Sequence, residues 1–465
     1  MQFASMQELV QQSRPVLDLN GGVRVKDPAA LRANTIDRLV HTAVFGSDEV
    51  RDAARWIIWE AGWELGIQSA SIDSLYQARA RGEYEGLTAP AINVRAMAYD
   101  VARAVVASAK RRRVGAFIFE LARSEMEYTE QSCAEFATVM MAACIKEGHT
   151  GPVFIQGDHY QANAKKYASD PEGVIEGLRK LIREAVAAGY GNIDIDTSTL
   201  VDLSFPSIKE QQRHNYERCA ELATLIREIE PRGVTISIGG EIGEVGKKNS
   251  TVEELRAFVE GFNEVFSSNV GNKRGLSKIS VNTGSSHGGV VLPDGTIAKV
   301  KIDFDTLRDM SAAAREYGMG GAVQHGASTL PAEAFDKFPE VGTVEVHLAT
   351  EFQNILYDGG NFPEDLKQEM YAYCTAKFGN ERGPDDTEEQ FIYKTRKKLW
   401  GPFKQRVWTL PESTRSALRA QLEDKFEFLY DKLGVLDSSS LIDRYISSPP
   451  RISKPQPESV RAVTA

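Results

Sequence analysis

Residues 152–159 read Pro-Val-Phe-Ile-Gln-Gly-Asp-His: an apolar run closed by an acid and a histidine. A short apolar run with chemistry-bearing residues at its C-terminal end is the pattern of a parallel strand buried on both faces. Working outward, the pattern recurs on both sides. AINV from Ala91 and GAFIFEL from Gly115 precede it; NIDID from Asn192, VTISIGGE from Val234, SKISVN from Ser277, GGAVQHG from Gly320 and TVEVHLA from Thr343 follow. Between the runs lie amphipathic stretches such as PEGVIEGLRKLIREAVAAG and TVEELRAFVEGFNEVF. Strand and helix in alternation imply βα units and a parallel sheet, and eight strands favour closure, so the spacing predicts an α/β chain folded as a (β/α)8 TIM barrel. Thr251 with Glu254 has the form of a capping box, and Gly189 and Gly318 sit where helices should stop.

The barrel is expected over residues 86–360. Residues 1–85, whose most apolar part is WIIWEAGWELG, read as a helical N-terminal extension, residues 361–448 as a helical C-terminal extension, and the polar, Pro-rich residues 449–465 as disordered. The chain has 55 Lys and Arg against 65 Asp and Glu, a net charge of −10. That balance argues against nucleic-acid or anionic-membrane partners and leaves small anions in a local basic pocket. Cys133, Cys144, Cys219 and Cys374 show no CxxC spacing and read as buried thiols of a reducing cytosol. No run approaches the ~20 apolar residues of a membrane span, so a cytoplasmic protein is expected.

The polar residues that stand out fall at strand ends: Asp158 and His159 on the third strand, Asp196 on the fourth, Glu241 on the fifth, Ser286 and His287 on the sixth, His325 on the seventh. In a barrel these ends share one rim. Three of the seven histidines plus a glutamate offer a nitrogen and oxygen donor set suited to Zn2+ or another divalent cation. Each histidine alone would pass for a core or loop residue; their convergence favours a metal. Glycine and serine surround two of them, at 284–289 and 325–329, where backbone N–H groups and following helix N-termini suit a phosphate, although tight turns use glycine too. Asp196, near Ser198, is a candidate to orient a ligand histidine.

At these residues the chain resembles the class II fructose-bisphosphate aldolases and their ketose-bisphosphate relatives, from about Pro90 through Asp358. Asp158-His159 resembles the family's "xDH" motif, which implies Asp158 as catalytic acid/base and His159 as metal ligand. Glu241-Ile242-Gly243 resembles "ELG", and His287-Gly288 and His325-Gly326-Ala327-Ser328 resemble the "HG" and "HGGSG" elements. The resemblance thus implies His159, Glu241, His287 and His325 as ligands, and Gly288, Gly326 and Ser328 at the phosphate. In the tail, Lys397-Lys398 and Arg406-Val407-Trp408 resemble the end of the longer members, where an arginine reaches a substrate phosphate in the neighbouring subunit; a surface arginine is the alternative. A homodimer or homotetramer acting on a small phosphorylated sugar, by reversible cleavage of a ketose to dihydroxyacetone phosphate and an aldehyde, is what the family implies.

The departures bear on substrate. The family's acidic loop after the glutamate ligand is Gly246-Lys247-Lys248-Asn249-Ser250 here, with Glu244 the nearest acid, and its last strand "NIDTD" is His347-Leu348-Ala349-Thr350-Glu351. Gln156 replaces a histidine, and the serine of the family's strand-two loop has no firm counterpart here, Ser124 being the candidate. His347 is therefore a candidate substrate contact or acid/base, with a packing role as its alternative. Two other functions remain: a sugar-phosphate-binding or regulatory subunit without turnover, and a metal-dependent sugar-phosphate isomerase or epimerase.

Overall fold

The eight apolar runs form eight parallel strands in a computed structural model that describes residues 2–243, 248–284, 291–293, 302–446 and 449–464. They are β1 (Ala89–Asn93), β2 (Ile118–Ala122), β3 (Gly151–Gln161), β4 (Asn192–Asp196), β5 (Ser237–Glu241), β6 (Lys278–Val281), β7 (Ala322–Gln324) and β8 (Glu345–Leu348). Each pairs with the next, β8 returns to β1 through Glu345↔Ala89 to Leu348↔Ile92, and the ring closes. The sequence-predicted (β/α)8 barrel is therefore present. Period-2 alternation sorts the side chains: in β4, Ile193 and Ile195 belong to the apolar core, while Asn192, Asp194 and Asp196 are the buried polar set.

Helices α2 (Ala98–Arg111), α3 (Cys133–Glu147), α4 (Pro171–Ala188), α5 (Arg213–Ile229), α6 (Val252–Val270) and α7 (Phe304–Glu316) follow the strands. Thr251 closes a capping box with Glu254, and Gly189 terminates α4 at φ +102°. There a side chain would be doubly excluded, since a Cβ would fall 2.1 Å from the Trp59 ring. All four cysteines are buried and unpaired, and among the described residues no helix is long and apolar enough to cross a membrane.

The longest strand, β3, is irregular where it matters. Its first half pairs on the outside with a ninth strand, Ile67–Ala70, and its second half with β4. Between Gly157 and Tyr160 the register against β4 slips: Gly157 faces Ile193, but Tyr160 already faces Ile195. Asp158 and His159 form the resulting bulge, with His159 at φ +42°. Regular alternation sends successive residues to opposite faces; the bulge turns two consecutive side chains to the same mouth, at the cost of a left-handed residue that only surrounding structure can hold.

Two expectations need correction. The N-terminal extension, read as helical, also contributes the strand Ile67–Ala70, whose four residues lack flanking strand signals and gain their conformation from the free edge of β3. Residues 449–464, read as disordered, instead cross α1 (Asp48–Glu64). Trp56 Nε1 donates to the Lys454 carbonyl at 3.1 Å, Trp59 Nε1 to that of Ile452 at 2.9 Å, and Arg451 pairs with Glu60 at 2.8 Å. Composition misled because few partners suffice: the polar segment is held by indoles and one carboxylate on another element, and by Val460, fully buried from the short helix Glu458–Thr464. Deleting 449–465 is expected to red-shift tryptophan emission and to destabilise the chain by about 3 kcal/mol, the burial of one or two apolar side chains, as read by urea denaturation.

Candidate functional site

At the rim, the bulge sets His159 against carboxylates from the two next strands. Its Nδ1 lies 3.1 Å from Asp196 Oδ2 and 3.2 Å from Glu241 Oε2, and its ring centroid is 4.2 Å from that of His325. Donor atoms of His159, Glu241 and His325 all fall within 4.8 Å of one another. His325 Nε2 is 3.0 Å from Ser280 Oγ on β6. Burial, together with the neighbouring Asp196 charge, pushes the Glu241 carboxyl up to about 7. Burial opposes a charge on His159, but Asp158 and Glu241 outweigh it and hold this imidazole well above its ordinary value. Acidic groups thus outnumber fixed cations around one imidazole pair. A divalent cation fits that excess, and the donors are the types such an ion takes.

Asp158 turns the other way, toward β8. Its Oδ1 lies 3.2 Å from His347 Nδ1 and has no aligned hydrogen bond. His347 Nδ1 is also 2.8 Å from Glu120 Oε2, while Nε2 bonds Glu345 Oε1 at 2.7 Å. Below, Lys278 reaches Glu345 Oε1, Gln156 Oε1 at 2.7 Å and Asp194 Oδ2 at 3.0 Å, and Tyr76 Oη donates to Glu345 Oε2. A charged column therefore fills a barrel interior that usually holds layers of Val, Ile and Leu. Burial raises Glu120 to about 8 and Asp194 to about 6; for Glu345, burial is overcome by Lys278 and His347, which hold it near 2.

Above the column opens a cavity of about 1810 Å³. Asp158, His159, His325, His347, Gly326 and Ser328 line it, and Asp196 and Glu241 contact it through His159. Ser124 lies on its wall. His287, Gly288, Ser286, Glu244 and Lys247 lie outside the described residues. Arg406 does not line the cavity of its own chain: it is half-exposed and pairs with Glu369. Lys397 from the same tail does, beside Arg95 on the loop after β1. Arg95 is held by Glu125 at 2.6 Å and Asn93 at 3.1 Å, and Lys397 sits 5.9 Å from the Tyr128 ring.

Glu120, Asp194, Lys278, Glu345 and Arg95 were not singled out from the sequence. A usable signal was there: charged residues inside FIFEL, NIDID, SKISVN and TVEVHL, where burial on both faces leaves a charge nowhere to go but into a shared network.

Among curated proteins, none matches the chain by sequence. Two solved structures share its fold, the fructuronate-tagaturonate epimerase UxaE of Cohnella laeviribosi (13% identity, 83% of this chain and 86% of that one, TM-score 0.52) and a probable tagatose 6 phosphate kinase of Sinorhizobium meliloti 1021 (14%, 81% and 97%, 0.50); the YdjI aldolase of Escherichia coli K12 is a more distant match (13%, 80% and 100%, 0.48). The family model that describes class II fructose-bisphosphate aldolases matches residues 73–429, a span that holds the bulge, the rim histidines, the interior column and the Lys397 wall, and the chain belongs to that family.

Proposed function

We propose that the protein catalyses metal-dependent, reversible aldol cleavage of a phosphorylated ketose, giving dihydroxyacetone phosphate and an aldehyde. The observation that carries this reading is Asp158: a buried carboxylate oxygen without an aligned hydrogen bond, on the wall of a large cavity, next to the His159–Glu241–His325 donor set. His159, Glu241 and His325, with His287, would hold Zn2+ or a similar ion. The cation supplies a Lewis acid that polarises the ketone and offsets the negative charge developing on carbon–carbon cleavage. Asp158 takes the proton from the hydroxyl beyond the breaking bond and returns it in the reverse direction. Asp196 fixes the His159 ring. The Gly326–Ser328 turn receives one phosphate through backbone N–H groups, and Arg95 with Lys397 receives the anionic far end of the substrate. Arg406, on the surface, serves a second copy of the chain in a homodimer or homotetramer.

The test follows triose-phosphate release from a panel of ketose phosphates and bisphosphates by zinc-loaded and chelator-treated protein. Cleavage that vanishes on chelation and returns with metal supports the reading; metal binding with no cleavage of any ketose sinks it. Because Glu241 keeps its proton up to about 7, ion binding below that pH must displace it. Affinity for the metal is expected to fall at least about tenfold per pH unit below pH 7, since the ligand His159 also holds its proton there, with proton release detectable by calorimetry in buffers of different ionisation enthalpy.

A second reading, epimerisation of a sugar-type substrate, is favoured by the closeness of His347 to Asp158, which puts two proton-transfer groups on one wall, and the UxaE structure bears the name of such an enzyme. Products separate the two: cleavage yields two fragments, epimerisation one isomer of unchanged mass.

A further inference from the structure

We propose that the closed, N-terminal end of the barrel binds one monovalent inorganic anion of the chloride type, held by the Arg79 guanidinium with Tyr84, Arg315 and Thr343 around it. None of these residues lines the cavity at the rim, so the site stands apart from the reaction proposed there.

Arg79 lies on the helix Asp73–Ala80, one turn after the Tyr76 that donates to Glu345. It is 0% exposed, and its Nη1 donates to the Leu87 carbonyl. Its Nε and Nη2 are buried and meet no acceptor among the described residues. The carboxylates of the adjoining stretch are already taken: Glu85 gives both oxygens to Arg315, at 2.6 and 2.9 Å, and Glu83 accepts from Arg81 at 2.5 Å. A buried guanidinium with two unmet donors and no counter-ion is strongly unfavourable. Burial accordingly pulls the pKa of Arg79 below its ordinary value, and the charge of Arg315 adds to the pull.

Other buried polar atoms without partners gather at the same place: Tyr84 Oη, Arg315 Nε and Thr343 Oγ1. A closed circuit of contacts brings them together. Arg79 bonds Leu87, and the next residue, Thr88, donates its hydroxyl to the Thr343 carbonyl at 2.7 Å. Gly342, before Thr343, would place a Cβ 3.3 Å from Arg315 Nη2. Arg315 pairs with Glu85, and the ring of its neighbour Tyr84 lies 6.0 Å from Arg79 Cζ. Each unpartnered atom on this circuit can give a hydrogen, and the guanidinium nitrogens can do nothing else. One acceptor shared among them satisfies the set.

Charge decides which acceptor. Arg79 and Arg315 against Glu85 leave one positive charge, which a monovalent anion balances; a dianion overshoots, and a water accepts hydrogens but leaves the charge where it is. The circuit is sealed at Arg79 and Thr343 and reaches the surface at Glu85, which is the route of entry. The N-terminal face of such a barrel serves stability. There the anion ties the segment after the helix Asp73–Ala80 to the start of β8.

Thermal unfolding of the full chain tests this, with chloride or bromide replacing gluconate at constant ionic strength, for the wild type, Arg79→Met and Tyr84→Phe. Unfolding releases the ion, so Tm reads the free anion concentration even where exchange from the folded chain is slow. The wild-type Tm is expected to rise saturably by about 2–4 °C. Arg79→Met should show no rise, and Tyr84→Phe should need several-fold more halide for half of it. A wild-type Tm indifferent to halide, or a rise of equal size in Arg79→Met, overturns the site. If Arg79→Met does not fold, bromide-soaked wild-type crystals decide: an anomalous peak at hydrogen-bonding distance from Arg79 Nη2 supports the site, and no peak there overturns it.

Discussion

Replacing Asp158 by asparagine is expected to lower kcat for ketose cleavage by about 10²–10⁴-fold, the range for losing a positioned acid/base group, with KM within a few-fold of wild type. Asparagine keeps the size of the side chain and one neutral oxygen, so the bulge between Gly157 and Tyr160 has no reason to relax. The ligand atoms of His159, Glu241 and His325 belong to other residues, and the metal equivalent should remain. What disappears is the ability to take and return a proton. Burial opposes ionisation of Asp158, but His159 and His347 overcome it and hold the carboxyl well below its ordinary range. The group is therefore a base across the neutral range, and the activity loss should be flat from pH 6 to 8. Steady-state kinetics over that range check it. A variant with wild-type kcat would remove Asp158 from the chemistry, and a fall in metal content would recast it as a structural residue.

How far the sequence reached depended on whether a residue's role was local. The eight strands were legible because a parallel barrel strand is apolar on both faces and ends at the functional rim. Asp158, His159, Glu241 and His325 were legible for the same reason, since their place at strand ends fixes their place in space. The bulge was not: nothing local in Gly157-Asp158-His159 announces that the register against Ile193 and Ile195 will slip, because that depends on pairing with β4. The strand Ile67–Ala70 and the tail over Trp56 and Trp59 share this dependence, each conformation being set by a partner distant in the chain. Arg406, matched to an arginine that acts in a neighbouring subunit, meets Glu369 on the surface of its own chain, while Lys397 reaches the cavity. The interior column needed all four strands in register before Glu120, Asp194, Lys278 and Glu345 could be seen as one network.

That network makes the second large effect. Lys278→Met is expected to destabilise the fold by about 3–5 kcal/mol near pH 8, the usual consequence of removing one partner from a buried ionic group. Lys278 is fully buried, and methionine matches its length without its charge. In the wild type, Lys278 and His347 hold Glu345 near 2 against the effect of burial. A carboxyl so depressed contributes stability that is present above its unfolded value near 4.5 and lost as pH falls toward 2. Without the ammonium, burial acts on Glu345 unopposed by Lys278, its proton is retained to higher pH, and ionising it becomes unfavourable. The deficit of the variant should therefore grow with pH from about 2, the folded value of Glu345, through the unfolded glutamate value of about 4.5, and shrink in acid. Urea denaturation in strong acid and at pH 8 measures both limits. Adding Glu345→Gln to Lys278→Met removes the stranded charge while keeping an acceptor for His347 Nε2–H, so the double variant should recover most of the loss. A deficit that neither varies with pH nor responds to Glu345→Gln would mean that Lys278 acts by filling space, and the charged interior would lose its electrostatic account.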